Sequence, residues 1–332
     1  MSKLLHPDSV LHENPGGVFQ SVDIPVCEHY AGDEKKLRKA LALQDELEGA
    51  FDVTADLEDG AASGQEAHMV RRLAAILAET RPTVHRLGCR VHPADHPSFA
   101  DDVRTLLTVK PAGLAYLTIP KVAGISQLES AAAFIKEEAI HAGWASPPAL
   151  QVILEDEAGI HHSHAIAAHS MVRFISFGQM DFTSSHHGAI PASAMQSPGQ
   201  FDHPLMRRAK LEISAACHAH GKIPTHNPTI DYGSATQAFL DAARAKGEFG
   251  FLRMWSIHPH QVRQILSAFA PSQAEIEDAT RILLSAQAAS WGPIADQGLL
   301  HDRASYRYFW TLLKRARSAG VEIPAAAEQA FF

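Results

Sequence analysis

Eight short apolar runs rich in β-formers, separated by stretches with helical periodicity, constrain what this chain can fold into. They lie at 18–26 (VFQSVDIPV), 51–58 (FDVTADLE), 86–92 (RLGCRVH) and 114–122 (LAYLTIPKV), then at 150–156 (LQVILED), 172–178 (VRFISFG), 222–227 (KIPTHN) and 251–258 (FLRMWSIH). The intervening segments 33–48, 65–79, 98–108, 126–142, 207–220 and 234–246 read as helices. Strands that alternate with helices imply a parallel sheet, and eight such units predict a closed (β/α)8 TIM barrel. No G-x-G-x-x-G follows the first strand and there is no P-loop, so nucleotide-binding open sheets lose their usual signature.

The expected domain plan is a barrel over 1–262 followed by a C-terminal helical extension over 263–332. Within the extension, Ser272 with Glu275 three positions later marks a helix start over 272–288. A break at Trp291–Gly292–Pro293 separates it from a second helix over 302–318, whose stripe of Tyr306, Phe309, Trp310 and Leu313 suits packing on the barrel or on a neighbouring subunit.

With 37 acidic against 29 basic residues the net charge is −8, which removes the bulk-electrostatic case for a nucleic-acid or anionic-membrane partner. No run is long enough to cross a bilayer, and the start MSKLLHPDSVLHENPGG has no signal-peptide core. Cys27, Cys89 and Cys217 lack metal-type spacing and read as reduced, buried thiols. A cytoplasmic protein is the expectation. The 21 histidines include a cluster at His161, His162 and His164 and a pair at His186–His187, read as surface or helix-start residues rather than a metal site.

Chemistry enters at the strand endings, because barrel active sites sit at the C-terminal ends of the strands. Asp56, Glu58 and Asp59 follow the second run, Arg90 lies in the third and Lys121 in the fourth. Glu155, Asp156 and Glu157 close the fifth, Asp181 follows the sixth, and His226, Asp231 and His258 come later. Glu155 and Asp181 stand 26 residues apart, one strand–helix unit, each closing an apolar run. A carboxylate there is costly unless a cation meets it, and two of them suit a hard metal with oxygen ligands. The competing reading pairs them with Arg or Lys in a structural network. Arg90 suits a two-pronged grip on a carboxylate, or it neutralises the acidic rim. Lys121 reads equally as an ion-pair partner or a substrate contact. One of Asp56, Glu58 and Asp59 is expected to orient Arg90 or metal-bound water. Asp156 and Glu157 suit a helix start.

Several motifs in order resemble the citrate lyase β-subunit-like branch of the HpcH/HpaI aldolase family. DLEDGAASGQEAHMVRR is similar to that family's DLEDGV stretch, CRVHP to its RVN strand and IPKV to its PKV strand. ILEDEAGI is similar to its metal segment, FGQMDFT to its G..DL segment and WSIHPHQV to its IHP.Q segment. The resemblance implies Mg²⁺ held by Glu155 and Asp181, and a 2-oxo acid gripped by Arg90. From the same segments it implies substrate contacts by Lys121, Met180, Asp181 and Phe182, and a catalytic group comprising Arg90, Asp56, Glu58 and Asp59. It further implies carbon–carbon cleavage or formation of a CoA-type 3-hydroxyacyl thioester, in a homotrimer or hexamer whose C-terminal segment closes a neighbour's site.

Three departures stand out. His92 replaces the family's Asn in RVN, and Asp156 replaces a small hydroxyl residue after the metal glutamate. The C-terminal DGKM.D motif reads ADQGLLHD, with Gln297 at the place of an expected catalytic Asp and Asp296 available only with a one-residue slip. A thioester hydrolase, an aldolase on a free hydroxy-oxo acid and a non-catalytic oxo-acid-binding relic are the alternatives.

Overall fold

A computed structural model describes residues 5–11, 24–59, 64–109 and 113–332. Eight parallel strands close into a barrel in sequence order: β1 (Cys27–Ala31), β2 (Asp52–Asp56), β3 (Leu87–Arg90), β4 (Leu114–Ile119), β5 (Ala149–Leu154), β6 (Val172–Phe177), β7 (Ile223–His226) and β8 (Arg253–Ser256). Closure runs through β1 and β8, with Cys27 opposite Met254 and His29 opposite Ser256. The expected TIM barrel is the observed fold.

The first strand lies later than expected. Positions 18–23 fall outside the described residues, and Ile24, Pro25 and Val26 precede the strand instead of forming it. Pro25 has no N–H to give a ladder. The real strand, Cys-Glu-His-Tyr-Ala, hides its character because Glu28 points into the barrel interior, where it has ionic partners. The helix Pro259–Phe269 was also missing from the expected set.

Strand alternation sends one set of side chains outward to the helices and the other inward. The outward set (Val53, Cys89, Leu117, Val152 and Ile175) packs against Leu37, Leu73, Val103 and Ile135 of the covering helices in one continuous core. The inward set is polar at mid-barrel. Arg253 is fully buried and bonds Asp52 Oδ2 at 2.5 Å, Tyr116 Oη at 3.0 Å and Glu28 Oε2 at 3.3 Å. Glu28 also accepts from Thr54 Oγ1 at 2.5 Å and from Gln151 Nε2 at 3.0 Å. The guanidinium lies 4.6 Å from the centre of the Phe174 ring and 5.4 Å from that of Tyr116. Two acids and one arginine from three strands are thus joined with Tyr116 and Gln151 from two more.

The described residues before Pro25 group with Ala270–Phe332 as a second compact unit. Its helices Gln273–Ala288, Arg303–Ser318 and Ala325–Phe331 enclose Ile276, Leu283, Trp291, Tyr306 and Leu313. Ser272 and Glu275 form the expected capping box. Between the first two helices, where only a break was expected, lies an antiparallel hairpin of β9 (Ile294–Asp296) and β10 (Leu299–His301). Its turn residues Gln297 and Gly298 both have positive φ, 47° and 82°, as a tight two-residue hairpin turn requires. Cys27, Cys89 and Cys217 are buried free thiols. Among the described residues no helix is long and apolar enough to cross a membrane.

The interior network yields a stability prediction. Arg253→Met leaves Glu28 buried without its cation and Asp52 with Arg86 alone (Nε–Oδ1 2.7 Å), so urea denaturation should show a loss of roughly 3–5 kcal/mol. A loss below about 1 kcal/mol would mean that the network contributes little.

Candidate active site

Four strand ends build an ionic chain across the rim. Asp56 closes β2 and accepts from Arg90 at the end of β3 in a two-pronged pair, Nε–Oδ1 2.7 Å and Nη2–Oδ2 2.6 Å. The register explains the match, because Asp56 and Arg90 are direct partners in the β2–β3 ladder. Arg90 Nη1 also reaches Glu58 Oε2 at 3.0 Å, and its guanidinium lies 5.3 Å from the centre of the Tyr30 ring. Three of its five N–H donors are then engaged and two remain.

Glu58 is shared, since Lys121 Nζ donates to its other oxygen. Burial acts to raise the Glu58 carboxyl, but Arg90 and Lys121 hold it below the ordinary carboxylate range. Asp59 is more than half exposed, lies 3.6 Å from Lys121 Nζ, and is pushed up by burial and by its neighbour Glu58. Of the three acids, at least one of which was expected to orient Arg90 or metal-bound water, Asp56 and Glu58 touch Arg90, whereas Asp59 lies against Glu58 and Lys121.

Lys121 has φ 55°, in the left-handed region that non-glycine residues seldom occupy. That conformation aims its backbone N–H at Glu155 Oε1, 2.5 Å away, while the side chain turns to Glu58. One strained residue therefore ties the fourth strand end to both acidic groups.

Glu155 follows β5 and is only 5% exposed. Its hydrogen bond from Lys121 N–H is not matched by any salt bridge, and among the described residues no cation lies within ion-pair distance of Glu155 or Asp181. Burial first, and then the charge of Asp181, push the Glu155 carboxyl up to about 8. Asp181 lies in the first turn of the short helix Gln179–Ser184 after β6. Gly178 makes the approach possible: a Cβ there would stand 2.6 Å from both Cβ and Oε2 of Glu155. No group of three or more His, Cys, Asp or Glu side chains poised to hold a metal is found among the described residues. A cation held by Glu155 and Asp181 would have coordination positions left for substrate and water, as Mg²⁺ commonly does.

The remaining candidates divide. Met180 is 49% exposed beside Asp181. Phe182 corrects an expectation: it is fully buried, its ring packs 5.2 Å from Phe177 and 4.6 Å from His186, and its N–H is bonded to Gly178 O. Its side chain belongs to the core and is not available to a ligand. Asp156 caps the helix Glu157–His161 by accepting from Gly159 N–H at 2.6 Å, and Glu157 pairs with Arg208 and His186. His162 and His186 hydrogen-bond to backbone carbonyls. His226 is buried against Lys210, Asp231 accepts from Gly233 N–H, and His258 lies beside Tyr232 and His260. Tyr30, which follows two polar residues in β1, carries no sequence signal for its place beneath Arg90. Only the barrel register reveals it.

Known proteins share this arrangement of chain. The L-malyl-CoA/beta-methylmalyl-CoA lyase of Cereibacter sphaeroides is 28% identical over 80% of this chain and 86% of its own. That of Rhodobacter capsulatus is 30% identical over 71% and 77%. A crystal structure of a citrate lyase from Burkholderia xenovorans superposes with TM-score 0.87 at 45% identity, covering 99% of this chain and all of that one. The protein CitE of Mycobacterium tuberculosis, in complex with magnesium, acetoacetate and coenzyme A, has the same fold at 22% identity and TM-score 0.69 over 90% and 99%. The family model for HpcH/HpaI aldolase/citrate lyase matches residues 38–259, most of the barrel, and the chain belongs to that family.

Proposed function

We propose that this chain is a Mg²⁺-dependent carbon–carbon lyase that cleaves or forms a 3-hydroxyacyl thioester of the malyl-CoA or citryl-CoA type, with a 2-oxo acid and an acyl thioester as the other partners. One observation carries the reading: a buried carboxylate, Glu155, faces a second acid with no compensating cation. The donor set consists only of carboxylate oxygens, which suits a hard divalent ion and not a thiophilic one. The named activities of the similar proteins, malyl-CoA and beta-methylmalyl-CoA lyase, support the substrate class.

Glu155 and Asp181 would hold the ion, whose chemistry here is that of a Lewis acid toward the oxygens of the oxo acid. Arg90 binds the oxo-acid carboxylate with its two remaining N–H donors, its plane fixed by Asp56 and Glu58. Fixing that plane before substrate arrives lowers the ordering cost at binding. Glu58 keeps Lys121 over the same rim, where its ammonium supports negative charge that develops on the reacting oxygens. Pairing to Asp56 and Glu58 keeps the rim from carrying a net positive excess, so the strongest remaining field is the negative one at Glu155 and Asp181.

Two outcomes follow. With its carboxyl pushed up to about 8, folded metal-free protein keeps the Glu155 proton over a range where the unfolded chain has lost it. The folded state then binds more protons, so stability falls as pH rises from about 4.5 towards about 8. In a thermal melt without divalent ions, Glu155→Gln should flatten that fall, and Mg²⁺ should raise the wild-type midpoint more at pH 8 than at pH 5. Parallel profiles for the two proteins would contradict the assignment.

In an activity assay, Mg²⁺ with malyl-CoA should release an oxo acid and an acyl-CoA, and chelation should abolish the release. Glu155→Gln and Asp181→Asn should each lower kcat/KM by about 10³-fold or more, in line with the several kcal/mol a Lewis acid supplies. Free coenzyme A with an intact hydroxy acid would instead identify a hydrolase. No turnover across malyl, citramalyl and citryl thioesters would overturn the lyase reading.

A further inference from the structure

Outside the rim site, three clusters of buried titratable side chains stand out among the described residues of the barrel unit, and two of them are closed. Arg253, Glu28 and Asp52 satisfy one another inside the barrel. Lys210, fully buried, donates to His226 Nε2 at 2.5 Å, Asn227 Oδ1 at 2.6 Å and Gln200 Oε1 at 3.3 Å, which uses all three ammonium protons. The Lys210 ammonium has no proton left for a ligand, and the one unpartnered donor of the interior cluster, Arg253 Nε, is sealed inside the barrel. The third cluster, His92 with Asp102, is open.

His92 Nδ1–H donates to Asp102 Oδ2 at 2.6 Å, and the same oxygen accepts the His92 backbone N–H at 3.1 Å. Asp102, 1% exposed in the helix Phe99–Leu107, is thereby fixed against the strand end. A carboxylate at Nδ1 selects the tautomer that leaves the lone pair on Nε2. The ring stacks face to face on His96, with centroids 4.3 Å apart and planes at 13°, which fixes its tilt. Nε2 makes no hydrogen bond with any described residue, and it is not sealed from solvent. Buried His85 and His226 have both ring nitrogens bonded, and His29, which also leaves Nε2 without a described partner, is oriented by the hydroxyl of Ser256 and not by a carboxylate. The titratable groups around it are Asp102 and His96 together with Glu66, which starts the helix Glu66–Glu79 and feels the charge of both rings.

The backbone that carries His92 is at the right rim. Leu57 N–H bonds Arg90 O at 3.0 Å and Val91 N–H bonds Thr118 O at 3.1 Å, so strand pairing continues past the last ladder residues. Carried two residues beyond the Asp56–Arg90 partners, that register sets His92 level with Glu58. Strand alternation also puts Arg90 and His92 on the same side of the sheet. The hairpin motif supplies no proton carrier of its own: Gln297 is an amide, and Asp296 is bound by Arg281 (Nη2–Oδ2 2.8 Å, Nε–Oδ1 3.1 Å), which holds it below the ordinary carboxylate range.

We propose that His92, oriented by Asp102, is the proton carrier of this site, with Nε2 facing the 3-hydroxyl of the thioester substrate. The inference rests on the lyase reading above. In cleavage, Nε2 takes the hydroxyl proton and the hydroxyl carbon becomes the carbonyl of the oxo acid. The electron pair of the broken C2–C3 bond moves onto the thioester as its enolate. The imidazolium then returns the proton to C2, giving the acyl thioester with no net gain or loss of protons. Asp102 stabilises the imidazolium while it carries the proton.

Two measurements test the inference. With Mg²⁺ and malyl-CoA, His92→Asn should lower kcat by about 100-fold or more, change KM by less than about threefold, and remove the acid-side limb of the kcat profile. Asp102→Asn should keep His92 but shift that limb. Wild-type-like kcat and pH dependence in His92→Asn would overturn the proposal while leaving the lyase reading intact. The second measurement maps diethylpyrocarbonate labelling of the wild-type chain by mass spectrometry, which needs neither turnover nor a variant that folds. Oxaloacetate with Mg²⁺ should protect His92 from labelling, and undiminished labelling at saturating oxaloacetate would overturn its placement. If the wild-type chain cleaves no thioester, the lyase reading fails by itself, and labelling still decides whether His92 faces the oxo acid.

Discussion

Charge balance at the ends of four strands is the constraint from which the rest of the site follows. Arg90 is matched by Asp56 and by one oxygen of Glu58, and Lys121 takes the other. Those pairings leave the basic groups of the rim committed, and Glu155 with Asp181 receives none of them. A buried carboxylate beside a like charge is unstable in its ionised form unless it keeps a proton or gains a cation. The first option is visible in the raised affinity of Glu155 for its proton. A divalent ion would satisfy the two carboxylates together and leave coordination positions for substrate.

The scaffold holds this imbalance in place. Below the rim, Arg253 joins Glu28 and Asp52 across the barrel, fixing the relative heights of the first, second and eighth strands. Above it, the left-handed backbone at Lys121 and the missing side chain at Gly178 bring the fourth and sixth strand ends against Glu155. Strain at Lys121 is tolerated because its N–H and ammonium each gain a carboxylate partner. Preorganisation of this kind keeps the reacting groups from reorganising at each turnover.

Much of this was legible in the chain. Apolar runs alternating with helices gave the barrel, and strand-terminal charges gave the residues that meet at its rim. The parts that escaped share one physical cause: a polar residue with a hidden partner looks like a loop or a surface position. Cys27–Ala31 was misplaced because Glu28 and His29 interrupt the apolar pattern, and only closure of the barrel supplies their partners. The β9–β10 hairpin escaped because three-residue strands carry little periodicity. Phe182 was assigned by its position in a motif, whereas helix geometry turned its side chain into the core. His92 was visible as a departure from the family pattern, but its meaning depended on Asp102, ten residues later and on another element.

The most direct test of the account is a titration of the metal-free protein with Mn²⁺, followed by the electron paramagnetic resonance of the free ion. Mn²⁺ is a hard oxygen-seeking stand-in for Mg²⁺. The wild-type chain should remove about one ion per chain, a stoichiometry set by one carboxylate pair, and Glu155→Gln and Asp181→Asn should each abolish that binding. Unchanged Mn²⁺ uptake by Glu155→Gln would contradict the claim that the uncompensated pair is the cation seat.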